Sequence, residues 1–420
     1  MEEVLVVGGG PVGLITAIGL ARQGLQVRVI EAEPGVLPTP RAMTYARQVL
    51  DNLMLLDLFD DAIKVGFRSN TMAFRFHKTN ESFVSRVSFP EGLDHPYLLT
   101  LAIDELTQVV VAQLPRYPQI TCEWGTRFTG LTQYDDHVSV DVETTSGTET
   151  IKARWVVGAD GGRSGVRRAI GQELIGYTWP DRFVATNVRF DFEGYGWHPV
   201  GNVMIDNQFG AIIVRLTRDG QWRVTFHEDE RLPLAGLKER IFDYYRRVLP
   251  NQGEGAQLDL YSPYSMHQRC VEKLRVGRVL LAGDSAHVTN PTSGFGLVGG
   301  VFDACALIDV LGPVAKGEAD ERLLDAYSAA RRRVFLEVTS PISCETKRRT
   351  FHLTDSELEA ERERHIAAQK TGLGWGSGAR TYHSFQLETP SLITGRTSAE
   401  ERMVRFGRGP LTWDPPGGFA

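Results

Sequence analysis

Three glycines near the N-terminus have the spacing that close approach of a phosphate group requires. They follow the pattern G-x-G-x-x-G: Gly8, Gly10 and Gly13. They stand between the apolar run Val4 to Val7 and the apolar segment Pro11 to Arg22, which predict a buried strand and a helix. Glu31 closes the next apolar run, where a carboxylate can accept hydrogen bonds from a ribose. This order predicts a dinucleotide site, with a glycine-rich turn of another α/β protein as the alternative.

The residues of this segment have different tasks at such a site. Gly8 permits the tight turn, Gly10 lets the backbone approach a pyrophosphate, and Gly13 lets the helix pack closely on the strand. The helix N-terminus adds unpaired N–H groups and the positive end of its dipole. The candidate dinucleotide-binding residues are therefore Gly8, Gly10, Pro11, Val12, Gly13, Glu31 and Ala32.

Two later segments repeat the form of a strand end followed by glycine, acid and small residues. The first runs from Gly158 to Arg167 and contains Asp160, and the second runs from Leu281 to His287 and contains Asp284. Because the carboxyl ends of parallel strands meet at one sheet edge, we expect all three segments to converge there. Taken alone, Asp160 could cap a turn and Arg167 could lie on a surface helix.

Composition excludes several classes of protein. The 420 residues, 23% charged and 42% hydrophobic, are typical of a globular chain with two domains. The formal net charge of -6 offers no basic field for nucleic acid, and no apolar run approaches the length of a membrane span.

The four cysteines are scattered and the histidines form no H-x-x-x-H pair, so we expect a reducing compartment and no metal site. The start Met1-Glu2-Glu3 leads directly into a strand, so we expect no signal peptide and a cytoplasmic location.

Apolar periodicity predicts the remaining elements. Helices are expected over 46–59, 103–114, 235–249, 296–311 and 318–349, the last broken near Pro341. Two strands are expected over 71–89, around a turn at 78–80. A small antiparallel meander is expected over 120–122, 126–134, 138–144 and 150–152. A second antiparallel sheet is expected from strands over 183–190, 202–205, 210–216 and 222–226.

Together the three glycine-and-acid segments (8–13, 158–167 and 281–287) resemble the FAD-dependent aromatic hydroxylases, the class A flavoprotein monooxygenases of the para-hydroxybenzoate hydroxylase fold. They match this family's dinucleotide fingerprint, its Asp-Gly motif and its Gly-Asp motif, in that order. The resemblance implies an α/β fold with a Rossmann-like FAD-binding domain of the glutathione-reductase type, formed by 1–70, 97–175 and 272–350. An inserted antiparallel-sheet substrate domain would comprise 71–96 and 176–271, and a C-terminal helix with an irregular tail would comprise 351–420.

The resemblance also implies roles for single residues. Glu31 would hold the adenosine ribose, and Arg41 would face the pyrophosphate. Asp160, with Gly161 beside it, would support FAD, and Asp284 would bind the ribityl chain. The segment against the isoalloxazine would be Pro291, Thr292 and Ser293, and the FAD-binding residues after it would be Gly294, Gly296, Leu297 and Val298.

Three positions depart from the family pattern. Asn290 stands where a second proline is usual, and Ile103 stands where arginine or glutamine is common. Val298 replaces the usual asparagine, so its backbone N–H stays available to the flavin but a side-chain donor is lost.

The activity implied by the resemblance is NAD(P)H- and O₂-dependent hydroxylation of a phenol-like aromatic or heteroaromatic molecule, through a flavin C4a-hydroperoxide. FAD would be the cofactor, NADPH or NADH a transient co-substrate, and the protein a monomer or homodimer. Pro291 would lie near the reacting carbon of the flavin, and Arg215 or Arg223 could pair with a phenolate or carboxylate, although either could instead face solvent. The alternatives are an epoxidase, halogenase, or flavin reductase or dehydrogenase on the same scaffold, or a non-catalytic FAD-fold binding protein.

Overall fold

The computed structural model describes residues 1–38, 42–45, 47–86, 97–371, 387–398 and 400–401. Arg41 and the predicted strand residues 87–89 lie outside the described residues. Most of the predicted irregular tail lies outside them as well.

Strands and helices alternate in the N-terminal part, and long antiparallel strands dominate the middle of the chain. The strands are β1 (Glu2–Val7), β2 (Val27–Glu31), β3 (Ala42–Tyr45), β4 (Phe67–Ser69), β5 (Thr71–Phe76), β6 (Glu81–Arg86), β7 (Leu98–Ala102), β8 (Ile120–Trp124), β9 (Arg127–Gln133), β10 (Val138–Thr144), β11 (Gly147–Gly158), β12 (Ile175–Arg189), β13 (Gly201–Ile205), β14 (Ala211–Arg215), β15 (Gln221–Asp229), β16 (Gln257–Cys270), β17 (Arg275–Val276), β18 (Val279–Leu281) and β19 (His287–Val288). The α-helices are α1 (Pro11–Arg22), α2 (Arg47–Leu55), α3 (Phe59–Val65), α4 (Ile103–Gln113), α5 (Gly165–Ala169), α6 (Leu237–Val248), α7 (Phe295–Ala315), α8 (Arg322–Val334), α9 (Ser340–Phe351) and α10 (Asp355–Thr371).

The first sheet has a parallel centre in the order β18-β11-β1-β2-β8. Its strands are apolar runs, and Val4, Leu5 and Val6 of β1 are fully buried, as expected for a parallel strand covered on both faces. β17 pairs antiparallel with β18, while β10 pairs with β11 and β9 with β10. The sheet therefore has the α/β architecture expected from the alternating pattern.

α7 packs on α1 in the core of this layer. A Cβ at Gly19 of α1 would lie only 2.2 Å from Ile308 of α7, so the missing side chain allows the two helices to approach closely. The expectation that no apolar run reaches the length of a membrane span is wrong, since α7 has 21 residues and contains an 18-residue stretch with a mean hydropathy of 1.8. Within the protein, 72% of that apolar stretch is buried, which is explained by its packing in the core.

The second sheet has the order β19-β16-β12-β15-β14-β13-β5-β6. One face carries Val184, Val188, Trp222 and Val224, which pack against the apolar side of α6. The opposite face packs against α9 through Phe183 and Phe351, and against α10 through Phe74 and Leu358. β3, β7 and β4 form a small third sheet. The domain boundaries stay a prediction, and β19, from the part assigned to FAD binding, joins the second sheet.

Three predicted elements differ from the structure. The segment 120–122 is not part of a meander, because β8 pairs parallel with β2, and only β9, β10 and β11 form the antiparallel unit. The helix predicted over 46–59 is two helices, since Asp57 turns the chain with a φ of 57° between α2 and α3. The irregularity predicted near Pro341 is a π-helical turn at Phe335–Thr339, and Pro341 lies in the first turn of α9, where proline is tolerated. β16 was not predicted.

Candidate active site

The three glycine-and-acid segments lie side by side at one edge of the first sheet. Val7 at the end of β1 pairs with Gly158 at the end of β11, which in turn pairs with Leu281 at the end of β18. Beyond these pairs, the N–H of Ala159 donates to the carbonyl of Val7 at 2.8 Å, and that of Ala282 donates to Gly158 at 3.0 Å. The predicted convergence is therefore confirmed, and the turns leave the sheet at its carboxyl edge.

The first turn requires its glycines. Gly8 has a φ of +117°, and a Cβ there would lie 2.3 Å from the carbonyl oxygen of Ala159. A Cβ at Gly13 would lie 2.0 Å from the Gly8 carbonyl oxygen. Gly10, by contrast, faces open space among the described residues and begins α1 without a side-chain cap. The N–H groups of the first helical turn are therefore available to an anion.

Glu31 supports this turn directly. Its Oε2 accepts a hydrogen bond from the Gly9 N–H at 2.7 Å, and its Oε1 accepts one from the Glu33 N–H at 2.9 Å. Each carboxylate oxygen has further acceptor capacity, so the same group can also accept from a ribose. Glu31 and the following Ala32 are only partly buried, at the end of β2.

The second segment contains a buried acceptor with unused capacity. Oδ2 of Asp160 accepts from the Val166 N–H at 3.1 Å at the start of α5. Oδ1 of Asp160 is buried and has no hydrogen-bond partner among the described residues. Gly161 beside it has a φ of +77° and faces open space among the same residues. A buried acceptor without a partner is costly, which favours a ligand donor at this position.

The alternative interpretation of Arg167 as a residue on a surface helix is wrong, because its side chain is buried. It is 6% exposed, and its guanidinium donates to the carbonyl of Gly162 at 2.9 Å and to that of Ser285 at 3.1 Å. Burial lowers the pKa of Arg167, although the charge of Asp160 opposes this shift. Arg167 thus ties the second segment to the third, which sequence spacing alone did not reveal.

In the third segment, Gly283 has a φ of +65° and lies against Val12 of α1, where a Cβ would be 3.1 Å from a Val12 methyl group. Ser285 Oγ donates to the Gly158 carbonyl at 2.6 Å, which fixes the turn to β11. Between them, Asp284 is partly exposed and its carboxylate makes no hydrogen bond within the described part of the chain. Its acceptors are therefore available to a ligand at the sheet edge.

A buried network of hydrogen bonds lies behind this turn and was not predicted from the sequence. Asp303 of α7 is fully buried, and its Oδ2 accepts from the Gly283 N–H at 2.9 Å and contacts His287 Nε2 at 2.7 Å. Its Oδ1 accepts from Arg331 Nε at 2.6 Å. His287 thus lies in a structural network, and no spacing in the sequence pointed to this set.

The loop 290–294 precedes α7 and is held from two sides. The backbone N–H and the side-chain amide of Asn290 donate to Gln268 Oε1 at 3.2 and 3.1 Å, and Ser293 Oγ lies 2.6 Å from Ser343 Oγ of α9. The residues predicted to lie against the isoalloxazine, Pro291, Thr292 and Ser293, are in this loop. The other FAD-binding residues predicted here lie at its end and in the first turn of α7: Gly294, Gly296, Leu297 and Val298. All are partly exposed except Val298, whose side chain is buried.

The two arginines predicted to contact substrate lie on opposite faces of the second sheet. Arg215 pairs with Trp222 on the face that packs against α6, and its guanidinium already binds Glu193 and the carbonyl of Thr217. Arg223 lies on the other face, is 3% exposed, and donates from Nε to Asn187 Oδ1 at 2.8 Å. Only Arg223 therefore lies on the face that α9 and the loop 290–294 approach.

Farther along this face, Lys347 of α9 enters a cluster of ionisable groups. Its ammonium donates to Asp181 at 2.7 Å and lies 2.5 Å from His352 Nε2, while His227 Nδ1 lies 3.1 Å from Asp181. The carboxylate oxygen of Asp181 and the ring nitrogens of His227 and His352 lie within 4.8 Å of one another. These residue types can bind a metal, but their spacing in the sequence did not indicate such a group. In this structure the positive charge beside the Asp181 carboxylate is the ammonium of Lys347.

The sequence of residues 1–340 matches the family model described as an FAD binding domain. The chain is 39% identical over 353 residues to 6-hydroxy-3-succinoylpyridine 3-monooxygenase HspB of Pseudomonas putida, covering 84% of this chain and 89% of that protein. It is 36% identical over 408 residues to para-nitrophenol 4-monooxygenase of a Pseudomonas species, covering 96% of this chain and 98% of that protein. The crystal structure of p-nitrophenol 4-monooxygenase PnpA from Pseudomonas putida DLL-E4 superposes with a TM-score of 0.84 at 36% identity, covering 92% of this chain and 97% of the other.

Proposed function

The chain belongs to the FAD-dependent aromatic hydroxylases of the class A type, and we propose that it hydroxylates a phenol-like ring that carries an anionic or strongly polarised group. Family membership makes it an FAD-dependent monooxygenase. The observation that supports the finer proposal is the buried cation of Arg223 on the face of the second sheet opposite α6.

The residues at the sheet edge fit FAD. Gly10, Gly161 and Gly296 leave open space among the described residues, and the buried Oδ1 of Asp160 has no partner among them. We propose that the cofactor is held by Gly8, Gly10, Pro11, Val12, Gly13, Glu31, Ala32, Asp160, Gly161, Asp284, Pro291, Gly294, Gly296, Leu297 and Val298. In this assignment the α1 N-terminus binds the pyrophosphate, Glu31 the ribose and Asp284 the ribityl hydroxyls. Arg41, outside the described residues, stays a family-based prediction.

FAD, when bound and reduced, supplies the electrons with which one atom of O₂ is transferred to an aromatic ring. The protein binds and orients the ring and excludes water. We propose that the ring lies between the loop at Pro291 and the sheet face that carries Arg223. α9 contacts the loop through Ser343 and the same sheet face, farther along, through Lys347 and Asp181. Arg223, oriented by Asn187, would stabilise a phenolate, carboxylate or nitro group.

The names of two relatives support this substrate class. One is named for para-nitrophenol and the other for 6-hydroxy-3-succinoylpyridine, and both are hydroxylated rings with a polar substituent. A guanidinium has five N–H donors, more than the bond to Asn187 uses, so Arg223 can also donate to such substituents. We further propose that NADPH or NADH is the reductant and that the protein is a monomer or homodimer. A cytoplasmic location is also proposed, and the four free cysteines support it.

The test is oxygen incorporation by the purified holoenzyme under isotopically labelled O₂. NADH and NADPH are supplied in turn, with para-nitrophenol, 6-hydroxy-3-succinoylpyridine and unsubstituted phenol as substrates. We expect one labelled oxygen atom in the product, with the two substituted rings preferred over phenol. Substrate-stimulated oxidation of the nicotinamide cofactor without a labelled product would contradict hydroxylation and indicate a flavin reductase or oxidase.

A further inference from the structure

The buried carboxylate of Asp303 connects the Gly283 turn to a distant part of the chain. Its Oδ2 holds the backbone N–H of Gly283, the residue immediately before Asp284, at 2.9 Å. Its Oδ1 accepts from Nε of Arg331 on α8 at 2.6 Å. Both side chains are almost completely excluded from solvent, at 0% for Asp303 and 2% for Arg331. One carboxylate therefore fixes both the turn that presents Asp284 and the guanidinium behind it.

Arg331 carries the connection on to the C-terminal segment. Its Nη1 donates to the carbonyl of Leu387 and to Thr389 Oγ1, each at 2.8 Å. The same guanidinium donates to the Gly299 carbonyl of α7 at 3.3 Å. A planar guanidinium holds several acceptors in a fixed arrangement, so moving the C-terminal acceptors changes the position of the group that binds Asp303.

The segment that follows is held to α7 a second time. Asp309 accepts from Ser391 Oγ at 2.6 Å and from the Leu392 N–H at 3.0 Å. Leu387 itself is fully buried against the core of the first sheet. The residues 387–392 are thus docked on α7 and α8, the helices that support the third glycine-and-acid turn.

We propose that Asp303 and Arg331 are positioning residues that couple FAD binding at the Gly283–Asp284 turn to docking of the C-terminal segment 387–392. This inference rests on the proposed contact between Asp284 and FAD. Because coupling between two sites is reciprocal, FAD stabilises the docked segment to the same extent that the docked segment favours FAD binding. Neither Asp303 nor Arg331 needs to touch the cofactor.

The experiment compares FAD affinity and backbone hydrogen exchange of the full chain with and without FAD. Arg331→Lys retains a positive charge for Asp303 but loses the planar fork that reaches Leu387 and Thr389. Thr389→Val removes one acceptor at a partly exposed residue and is the milder variant. Glu228→Gln is the matched control, since the side chain of Glu228 on β15 is a buried carboxylate paired with Arg182 of β12 and Arg240 of α6.

In the wild type we expect FAD to slow exchange across 388–392. Arg331→Lys is expected to raise the Kd for FAD about tenfold and to abolish the FAD-dependent protection of this segment, with a smaller effect in the same direction for Thr389→Val. Glu228→Gln is expected to lower the melting temperature without changing either quantity.

Unchanged FAD affinity in Arg331→Lys and Thr389→Val, or exchange across 388–392 that does not respond to FAD in the wild type, would overturn the coupling while leaving the proposed function intact. Failure of the wild-type chain to bind FAD would overturn the proposed function and this inference together.

Discussion

The Nε–H of Arg223 donates a 2.8 Å hydrogen bond to Oδ1 of Asn187 on the neighbouring strand. This bond orients a buried guanidinium on the face of the second sheet that lies away from α6. Arg215, eight positions earlier in the chain, lies on the other face because its partner in the sheet is Trp222. The pair offers a matched comparison of two arginines that the sequence could not distinguish.

Arg223→Met should weaken the binding of substrates with an anionic or nitro group. A hydrogen bond to a charged group contributes roughly 1.5–3 kcal/mol, so the KM for para-nitrophenol is expected to rise about tenfold or more. The measurement is steady-state kinetics with para-nitrophenol and with phenol, which lacks the polar substituent. Arg215→Met is the control, since it removes a guanidinium bound to Glu193 and should leave the KM unchanged. Equal effects of both variants would contradict the assignment of Arg223.

Asp284→Ala should release FAD without weakening the apoprotein. The Asp284 carboxylate makes no hydrogen bond within the described part of the chain, so its loss removes ligand contacts and little else. We expect the Kd for FAD to rise about tenfold and the melting temperature of the apoprotein to stay constant. Fluorescence titration of FAD and thermal unfolding of the apoprotein measure the two effects. A variant with unchanged FAD affinity would show that Asp284 is wrongly placed.

Glu31→Gln should behave differently, because Glu31 supports the backbone as well as the proposed ribose contact. Its two oxygens accept from the Gly9 and Glu33 N–H groups, and an amide can present only one acceptor oxygen to them. We expect a loss of about 1–3 kcal/mol in the unfolding free energy of the apoprotein, together with weaker FAD binding. Denaturant unfolding of the apoprotein distinguishes this outcome from that of Asp284→Ala. An unaltered unfolding free energy would argue against a supporting role for Glu31.

The sheet edge could be predicted because each of its three segments carries a local signal. Gly8, Asp160 and Asp284 each follow an apolar run, and parallel register then brings them together without further information. Arg167, Asp303 and Arg331 could not be assigned in this way. Their partners are backbone carbonyls or carboxylates far away in the chain, and an isolated arginine in a helix reads as a surface residue.

The strand errors have a similar cause. The short turn between β8 and β9 predicts that both belong to the meander, whereas β8 pairs with β2 from a distant part of the sequence. β16 spans Gln257–Cys270 but alternates weakly, since polar residues and Pro263 interrupt its apolar positions. Pairing with β12 over nearly its whole length determines its structure. Tertiary pairing, rather than local propensity, decides both strands.

Asp181→Asn should strongly destabilise the contact between α9 and the second sheet. The side chain of Lys347 is fully buried, and the substitution would leave its ammonium without a counter-ion. Breaking a buried pair on one side costs about 3–5 kcal/mol, so the free energy of unfolding is expected to fall by this amount. The double variant Asp181→Asn with Lys347→Met should regain part of the loss, which denaturant unfolding can measure. Additive losses in the double variant would contradict the pairing.

Acid should remove the stabilisation that Asp181 provides. Burial alone would raise the pKa of Asp181, but hydrogen bonds from His227, His352 and Lys347 outweigh burial and hold this pKa well below its usual range. The unfolded chain binds a proton at this residue at about pH 4, whereas the folded chain does not. The stabilisation is therefore complete above about pH 5 and is lost progressively as the pH falls below about 4.

The measurement is the difference in unfolding free energy between the wild type and Asp181→Asn, taken at steps between about pH 6 and pH 3. Other carboxylates titrate in both proteins and cancel in this difference. We expect the difference to be constant at the upper end of the range and to shrink toward the lower end, because the unfolded wild type gains a proton that its folded state excludes. A difference that stays constant throughout would mean that Asp181 has an ordinary pKa and that Lys347 is neutralised by another group.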